Sequence, residues 1–461
     1  MATKKQVSRL KSILSELLHY KYAILGLTIL IFLVILSIYA MITIPLTEAI
    51  KLWRSTDIWR RNPRNAQPEF VEIFYQKRLP RTIIISIIDA NLSKVKLENN
   101  KIKATGILSF NYDYDDFPSE IIIFFNVNYS ESPEVNIYWI RPDNEEIYLK
   151  SLKLRRQDDR YYLSNDFKLE DNLNELFMKK LGQRPNDVIT IERGLFGTFS
   201  PNLQVLKGKY SIRFEIIMNE GDYFEAEVVV YGKVYGIAGT DHLRRPLTIA
   251  LLWGAPIAIS FGLVASSLIT FANLIIGTIS GWYKGTIDAV IQRIVEINTI
   301  LPFLPILILL STIYKIDIFV ILACVIALSI FSIGTKNTRV LVMQIATYPY
   351  IEAAKAYGAS NWRIIFFYII PKILPSLIPG MISAVPGFVF LEAGLSYLGL
   401  GDPFLPTWGK VINDAFSNGA LYKGYYYWVL LPTSMLVLTA ISFSLIGMAL
   451  EKIVNPRLKE L

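Results

Sequence analysis

Hydrophobic residues in this 461-residue chain gather into long runs that polar stretches separate. The first run, residues 22–46, is longer than the roughly 20 residues that a helix needs to cross a bilayer. It is also longer than the apolar core of a signal peptide, about 7–15 residues, and it lacks a small-residue cleavage site. The pattern therefore predicts a retained transmembrane helix.

Five further apolar runs follow the polar stretch that ends near residue 245. They occupy residues 247–282, 301–314 (with a start near residue 295), 317–334, 373–395 and 427–450. Together with the first run they predict an α-helical polytopic membrane protein with six transmembrane helices.

The polar segment between the first two runs, residues 47–245, is too long for a plain connector. Short stretches rich in β-branched and aromatic residues alternate there with turn signals such as Pro142-Asp143-Asn144. Strands are predicted at residues 82–88, 101–110, 120–128, 134–140, 145–152, 210–219 and 223–234, and a short helix at 171–181. This pattern predicts an inserted all-β domain, an Ig-like sandwich over about residues 81–234, without the Cys–Trp–Cys signature.

Composition and charge support the membrane assignment, and charge also predicts the orientation of the chain across the membrane. Hydrophobic residues make up 52% of the chain and charged residues 19%, below the roughly 25% of soluble proteins. The net charge is +8, but the basic residues flank apolar runs, which favours membrane topology over nucleic-acid binding. The N-terminus, the loop after the fourth run and the C-terminal tail are all basic. The positive-inside rule therefore predicts cytoplasmic termini and an extracytoplasmic segment 47–245.

Three parts follow from these patterns. Residues 1–46 form the cytoplasmic N-terminus and first membrane helix, 47–245 the insert, and 246–461 a core with five membrane helices. The chain lacks the GxxxxGK[ST] pattern of a phosphate loop, so we expect no ATP hydrolysis and no enzyme activity of its own. With two histidines and the single Cys324, the sequence favours neither a disulfide nor a histidine or cysteine metal site.

The most specific pattern lies in the loop before the fifth run. Five residues define it by their spacing: Glu352, Ala353, Ala354, Gly358 and Pro371. Gly358 separates two helical stretches, 352–357 and 361–370, and can adopt the positive φ that a tight break needs. We expect Pro371 to end the second stretch before the membrane helix.

This loop resembles the EAA loop of ABC-importer permeases, which reads EAA, three residues, Gly, nine residues and then I-x-L-P. Tyr368 and Ile370 replace the family's Ile and Leu. Further stretches resemble the C-type subunit of dipeptide and oligopeptide permeases, and the resemblance covers essentially the whole chain except the insert. They are Gly239-Thr240-Asp241 with Arg245, residues 391–401 (LEAGLSYLGLG), residues 406–409 (PTWG), and Asn455-Pro456-Arg457. Arg244 and Pro246 depart from the family's GTDxxGRD, which has Gly and Asp there.

The resemblance implies a type I importer permease with a binding-protein-dependent mechanism. It implies a heterodimer with a second permease subunit, two ATPase subunits that hold ATP and Mg²⁺, and an extracytoplasmic substrate-binding protein. Residues 341–372 would be the loop that couples the ATPases to the pore, with Glu352 anchoring its short helix and Gly358 setting its turn. The glycines of the 391–401 stretch (Gly394, Gly399 and Gly401) would allow an external gate.

Several alternatives stay open at this stage. The substrate of such a permease is a peptide or an oligosaccharide, and the insert docks the binding protein, shields the pore mouth or is a decoration. Its sequons at Asn91 and Asn128 permit glycosylation, and its aromatic residues fit sugar stacking as well as core packing. A different class of protein, a membrane-anchored receptor or adhesion protein with a degenerate permease core, is the alternative function. The spacing of the EAA residues argues against it.

Overall fold

The computed structural model describes residues 15–97, 101–182, 188–314 and 317–455. Lys4, Lys5, Arg9 and Lys11 of the basic N-terminus, and Pro456 and Arg457 of the closing motif, lie outside the described residues. The chain divides into two compact units, a membrane unit (Met1–Arg54 with Thr248–Leu461) and a β unit (Ser55–Leu247).

Helices make up the membrane unit. In chain order they are α1 (Lys21–Thr43), α2 (Leu46–Arg54), α3 (Leu247–Tyr283), α4 (Gly285–Ile300), α5 (Phe303–Ile313), α6 (Ile318–Ser329), α7 (Ile333–Ile345), α8 (Pro349–Ala356), α9 (Asn361–Tyr397), α10 (Trp408–Ser417) and α11 (Tyr426–Val454).

The described helices fit the predicted membrane spans. Among them, α1, α3, α9 and α11 are each long and apolar enough to cross a bilayer. The pairs α4–α5 and α6–α7 are bent by 73° and 46°, and the total is six if each pair counts as one span. The sharper bend falls at Leu301 and Pro302, which separate α4 from α5. Leu301 has an extended backbone because proline disfavours a helical conformation in the residue before it. The prediction of a polytopic helical membrane protein is thus confirmed.

Small residues bring the membrane helices close together. The Ser442 hydroxyl of α11 donates a hydrogen bond of 2.8 Å to the Gly26 carbonyl of α1. A Cβ on Gly26 would lie 3.0 Å from both the Ser442 carbonyl oxygen and the Leu445 Cβ, so only glycine permits this approach without a shift. Lipid supplies no hydrophobic drive between helices, and close contact of this kind is what stabilises them in a membrane.

Two antiparallel sheets make up the β unit. The described strands are β1 (Ile83–Ile88), β2 (Ser93–Lys96), β3 (Lys101–Tyr112), β4 (Glu120–Asn128), β5 (Glu134–Ile140), β6 (Glu146–Lys153), β7 (Asp158–Tyr162), β8 (Gly208–Asn219) and β9 (Tyr223–Tyr231). The strand orders are β1-β9-β4-β7 and β2-β3-β8-β5-β6. The helices of this unit are Glu72–Tyr75, Phe167–Leu181 and Ile191–Phe196, with single 3₁₀ turns at Asp57–Trp59, Glu69–Val71, Asp89–Asn91 and Leu163–Asn165.

Both sheets contribute to one core, which confirms the predicted all-β region. Ile123 and Phe125 of β4, Trp139 of β5 and Phe214 of β8 belong to the same buried cluster. The order within the sheets is not that of an Ig constant domain, because the last strand, β9, lies between β1 and β4. The Ig-like part of the prediction therefore holds for the sandwich architecture and not for the strand order.

The apolar run of β4 (residues 121–125) is buried on both faces of its sheet. Ile121, Ile123 and Phe125 enter the core between the sheets. Ile122 and Phe124 face the opposite side, where they cluster with Val229 and Tyr231. The segment that precedes β1 supplies part of the cover there, since the Tyr231 hydroxyl donates to the Arg60 carbonyl.

Asp166 joins the helix Phe167–Leu181 to the sandwich. Its carboxylate caps the helix by accepting from the Leu169 amide. It also accepts from Lys150 Nζ at 2.6 Å and from the Tyr161 hydroxyl at 2.9 Å. Although burial opposes ionisation, the hydrogen bonds from Lys150 and Tyr161 hold the pKa of Asp166 below its ordinary value.

We predict that Asp166→Ala destabilises the β unit by about 2–3 kcal/mol, because it removes a helix cap and a charge-assisted network. Hydrogen exchange of the helix Phe167–Leu181 in the full-length protein measures the effect. Asp171→Ala, an exposed change in the same helix, is the control and should leave exchange unchanged.

The difference in stability between the wild type and Asp166→Ala should depend on pH. A carboxyl whose pKa is lowered by folding stabilises the protein above its unfolded pKa of about 4, and this stabilisation is lost as the pH falls through the folded value. The difference between wild type and Asp166→Ala should therefore shrink below about pH 4. A difference that grows in acid would contradict the assigned role of the ionised Asp166.

Candidate functional site

The predicted coupling loop is a helix–turn–helix. Its first helix, α8, starts with Pro349 at a position where proline's missing amide costs nothing, and Glu352 lies in its first turn. The helix ends at Gly358, which has a φ of +74°. The Gly358 amide donates to the Lys355 carbonyl at 2.9 Å and the Ala359 amide to the Ala354 carbonyl at 3.0 Å. This is a Schellman motif, and it confirms the turn that the sequence predicts at Gly358.

The second helix of the loop, α9, contradicts the expected effect of Pro371. It runs without a break from Asn361 to Tyr397, so Pro371 does not end it. Residues Ile365–Ile369 form a π-helical turn, in which the Ile370 amide donates to the Ile365 carbonyl. This wider turn just before Pro371 shifts the hydrogen bonds by one residue, which lets the helix continue through a residue that has no amide proton.

One face of the loop is buried and the other is exposed. Ile351 and Ala354 of α8 pack with Ile364 and Ile369 of α9 in a cluster that also holds Val342 of α7. Glu352 and Ala353 lie on the exposed face, together with Gly358. Among the described residues, Glu352 makes no ion pair. The exposed face of the loop therefore presents the charge of Glu352 and the small side chain of Ala353, while the buried face holds the loop in place.

Exposed aromatic residues surround the turn and were not singled out by the sequence. Tyr357 is 93% exposed, and Trp362, Phe366 and Phe367 are also exposed. The Trp362 and Phe366 rings stack with their centroids 5.7 Å apart. The spacing of four residues between Trp362 and Phe366 could have indicated an aromatic patch on one helix face. The same spacing is typical of a buried face, so the sequence alone does not show that this patch is exposed. At the start of a membrane helix such a patch suits contact with the lipid interface as well as with a protein partner.

An ion pair lies at the base of the loop. The Arg339 guanidinium of α7 donates two hydrogen bonds, of 2.6 and 2.5 Å, to the Asp288 carboxylate of α4. The Ser280 hydroxyl at the end of α3 donates to the same carboxylate at 2.5 Å. Three helices are therefore tied together where α7 leads into the loop. The more exposed pair Arg293–Glu296, at 3.1 Å, is the one that helical spacing predicts.

The predicted gate glycines lie at the C-terminal end of α9. Gly399 has a φ of +78° and ends the helix in a second Schellman motif, with the Leu400 amide donating to the Leu395 carbonyl at 2.9 Å. A Cβ on Gly401 would lie 2.1 Å from Ser396 Oγ, whereas one on Gly394 would meet open space. Two of these glycines thus serve a turn and a close contact, and Gly394 leaves a gap on the helix surface.

Glu392 connects the 391–401 stretch (LEAGLSYLGLG) with the 406–409 stretch (PTWG). Its buried carboxylate accepts from the Ser396 hydroxyl at 2.8 Å and also hydrogen-bonds Thr407. Thr407 in turn caps α10, since its side chain accepts from the Lys410 amide. The sequence indicated each motif separately, and the structure brings them together around this carboxyl.

The 239–246 segment is a buried turn of the β unit. Asp241 pairs with Arg245 at 2.5 Å, and the Thr240 hydroxyl donates to the Pro63 carbonyl at 2.7 Å. Arg244, where the resembling permeases have glycine, adopts a φ of +67°. Its guanidinium donates to Glu120 at 2.5 Å and to the Asn62 carbonyl at 2.7 Å. Arg244, which replaces the family's glycine, therefore helps to hold this segment on the sandwich.

Comparison with known proteins places this architecture in a family. A model of the family described as "Binding-protein-dependent transport system inner membrane component" matches residues 273–460. The dipeptide transport system permease protein DppC of Bacillus subtilis is 31% identical over 225 residues, which cover 48% of this chain and 68% of that protein. The chain belongs to this family of permeases.

Other relatives agree. The oligopeptide transport system permease protein OppC of Bacillus subtilis is 32% identical over 224 residues, 48% of this chain and 72% of that protein. The glutathione transport system permease protein GsiD of Pectobacterium atrosepticum is 28% identical over 224 residues, with the same coverage. The resemblance that the sequence motifs indicated is thus confirmed. The β unit, which ends at Leu247, lies outside the residues that the family model matches.

We predict that Arg339→Gln lowers the free energy of unfolding of the permease by about 2 kcal/mol, because Asp288 loses a charge-assisted bidentate partner. Thermal unfolding in detergent measures the change. The control is Arg293→Gln, whose pair with Glu296 is exposed and should contribute less than about 0.5 kcal/mol. Equal effects of the two variants would show that the Asp288–Arg339 pair has no special importance.

Proposed function

We propose that this permease is a translocation subunit of an ATP-driven importer whose substrates are peptides. The relatives are named for the transport of dipeptides, oligopeptides and glutathione, all of which are peptides. This agreement favours peptides over the oligosaccharides that the sequence left open. The chain acts as a transport subunit, and ATP hydrolysis takes place on separate ATPase subunits that hold ATP and Mg²⁺.

The observation that carries this proposal is the construction of the loop between α7 and α9. A Schellman turn fixes the angle between its helices, and the buried face of Ile351 and Ala354 ties it to the membrane helices. The exposed face presents Glu352 and Ala353 beside the aromatic residues. Such a loop can dock on an ATPase subunit and move as a rigid lever when the ATPases close.

The assembly that follows from this mechanism has several subunits. A second permease completes the pore, two ATPases bind the coupling loops in the cytoplasm, and a binding protein delivers the peptide from outside. Both termini of this chain are cytoplasmic, and residues 47–245 are extracytoplasmic. Gly394, Gly399 and Gly401 belong to the external gate, where Gly399 provides the turn and Gly394 the open surface.

The alternative, a receptor with a degenerate permease core, is less well supported. A core that no longer transported would have no need for a capped coupling helix, a continuous α9 and an exposed docking surface. The Schellman turn that ends α8, the continuous α9 and the exposed aromatic residues therefore support the proposal.

Gly358→Pro and Glu352→Lys should leave the protein in the membrane but abolish peptide uptake and ATPase co-purification. Proline cannot adopt the φ of +74°, and lysine reverses the charge in the first turn of α8. Uptake of a labelled dipeptide and pull-down of the ATPases measure the two effects.

Gly419→Pro provides the matched control. Gly419 has a φ of +64° and ends α10 in the same type of turn, away from the coupling loop. We expect this variant to retain the ATPases. Normal uptake in both coupling-loop variants would exclude the proposed role of the loop.

Cysteine labelling tests the orientation of the chain in the membrane. In a Cys324→Ala background, a cysteine at the exposed Asn144 should react with an impermeant maleimide on intact cells, and a cysteine at Ser360 should react only after the cells are opened. The opposite labelling would overturn both the topology and the assignment of the coupling loop.

A further inference from the structure

A cleft on the β unit gathers arginine residues over an aromatic floor. It lies on the face of the β1-β9-β4-β7 sheet that points away from the sandwich core. Phe124 and Tyr231 belong to its floor, and Arg60, Arg64 and Arg160 line its sides. We call this feature the arginine cleft. The cleft is open to solvent.

Two of these guanidinium groups approach the same aromatic ring. The Cζ atoms of Arg60 and Arg160 lie 5.2 and 5.7 Å from the centroid of the Phe124 ring. A ring face attracts a cation, so Phe124 helps to hold both side chains in place. Two positive charges that share one ring also repel each other, and a ligand with negative charge would relieve this repulsion.

The acidic residues near the cleft do not neutralise it. Asp158 lies 3.9 Å from both Arg60 and Arg160, and Asp57 lies 3.7 Å from Arg160. These distances exceed a hydrogen bond, and the two aspartate side chains are 58% and 86% exposed. Arg64 makes no ion pair with any residue that the structure describes. Loose, exposed pairs of this kind contribute little to stability.

Arginines that serve the fold elsewhere in the β unit are paired differently. Arg213 donates to both carboxylate oxygens of Glu146, at 3.1 and 2.5 Å. Arg61 does the same on Glu227, at 3.0 and 2.5 Å. Arg141 is fully buried and donates to the carbonyls of Gly194 and Gly197. Arg160 hydrogen-bonds Tyr162, but neither Arg160 nor Arg60 makes the close two-bond carboxylate pair of Arg213 and Arg61. Both therefore keep donor capacity for a ligand.

We propose that the arginine cleft binds the carboxylate of a small organic acid, such as the C-terminal group of a short peptide. The guanidinium fork matches a carboxylate in two parallel hydrogen bonds. Ile122, Phe124 and Tyr231 are buried beneath the arginines, but the exposed Leu243 and the half-buried Tyr162 also line the cleft. Leu243 and Tyr162 provide a surface for the organic body, which a bare inorganic anion would leave unused. This site goes beyond the proposed transport function, because it lies outside the residues that the family model matches.

The test measures binding to the full-length protein in detergent, without ATP or other subunits, so that its outcome does not depend on transport. The probe is N-acetylated Ala-Ala-Leu with a free C-terminal carboxylate, and its partner is the same peptide with a C-terminal amide. Isothermal titration should give at least about tenfold tighter binding of the acid, the effect of one charge-assisted contact. Raising the salt concentration should weaken only the acid.

Variants locate the binding. Arg160→Gln and Arg60→Gln should each weaken binding of the acid about tenfold or more. Arg213→Gln is the matched control, because Arg213 also lies against an aromatic ring (Tyr138, 4.5 Å) but is occupied by Glu146. Unchanged unfolding temperatures of the two cleft variants establish that they are folded.

Three results would overturn the proposal. They are equal affinity for the acid and the amide, unchanged affinity in both cleft variants, and inorganic phosphate binding as tightly as the peptide acid. The last would show a general oxyanion site that makes no use of the apolar surface of Leu243 and Tyr162.

Discussion

Backbone hydrogen bonds must be satisfied within the chain wherever water is excluded, and this constraint shapes the helices of the membrane unit. A helix leaves its last carbonyl groups without partners, so each helix end needs its own solution. Three described helix ends use the same one, a glycine in the left-handed region at Gly358, Gly399 and Gly419. The continuous helix α9 solves the related problem of Pro371 with a π-helical turn. The predicted coupling loop and the predicted gate are both built from these backbone solutions.

The sequence predicted features that depend on local chemistry and missed those that depend on distant partners. Gly358 was predictable because a positive φ at a helix end is a property of one residue. The effect of Pro371 was predicted wrongly, since a local rule cannot anticipate a π turn that absorbs the missing amide. β2 and β7 were overlooked because SKVK and DDRYY carry too much charge and too few apolar residues to read as strands.

Contacts between residues that are far apart in the chain could not be predicted from the sequence for a similar reason. Asp288 and Arg339 are 51 residues apart, and nothing in their neighbourhoods indicates that they meet. Glu392 and Thr407 each belong to a motif, yet the motifs gave no sign that one carboxyl would join them. The six apolar runs, by contrast, were predictable because the length of a membrane helix is set by the bilayer and not by its neighbours.

Arg244 indicates how the β unit is accommodated within a permease chain. A left-handed backbone costs a non-glycine residue about 1–2 kcal/mol, which explains why glycine suits this position in the resembling permeases. Here the arginine side chain lies 4.1 Å above the Tyr231 ring and hydrogen-bonds Glu120 and the Asn62 carbonyl. These contacts offset the backbone strain, and a glycine could make none of them. The same Tyr231 ring and the adjoining Phe124 form the floor of the arginine cleft, so the segment that leads into α3 and the proposed ligand site depend on one aromatic surface.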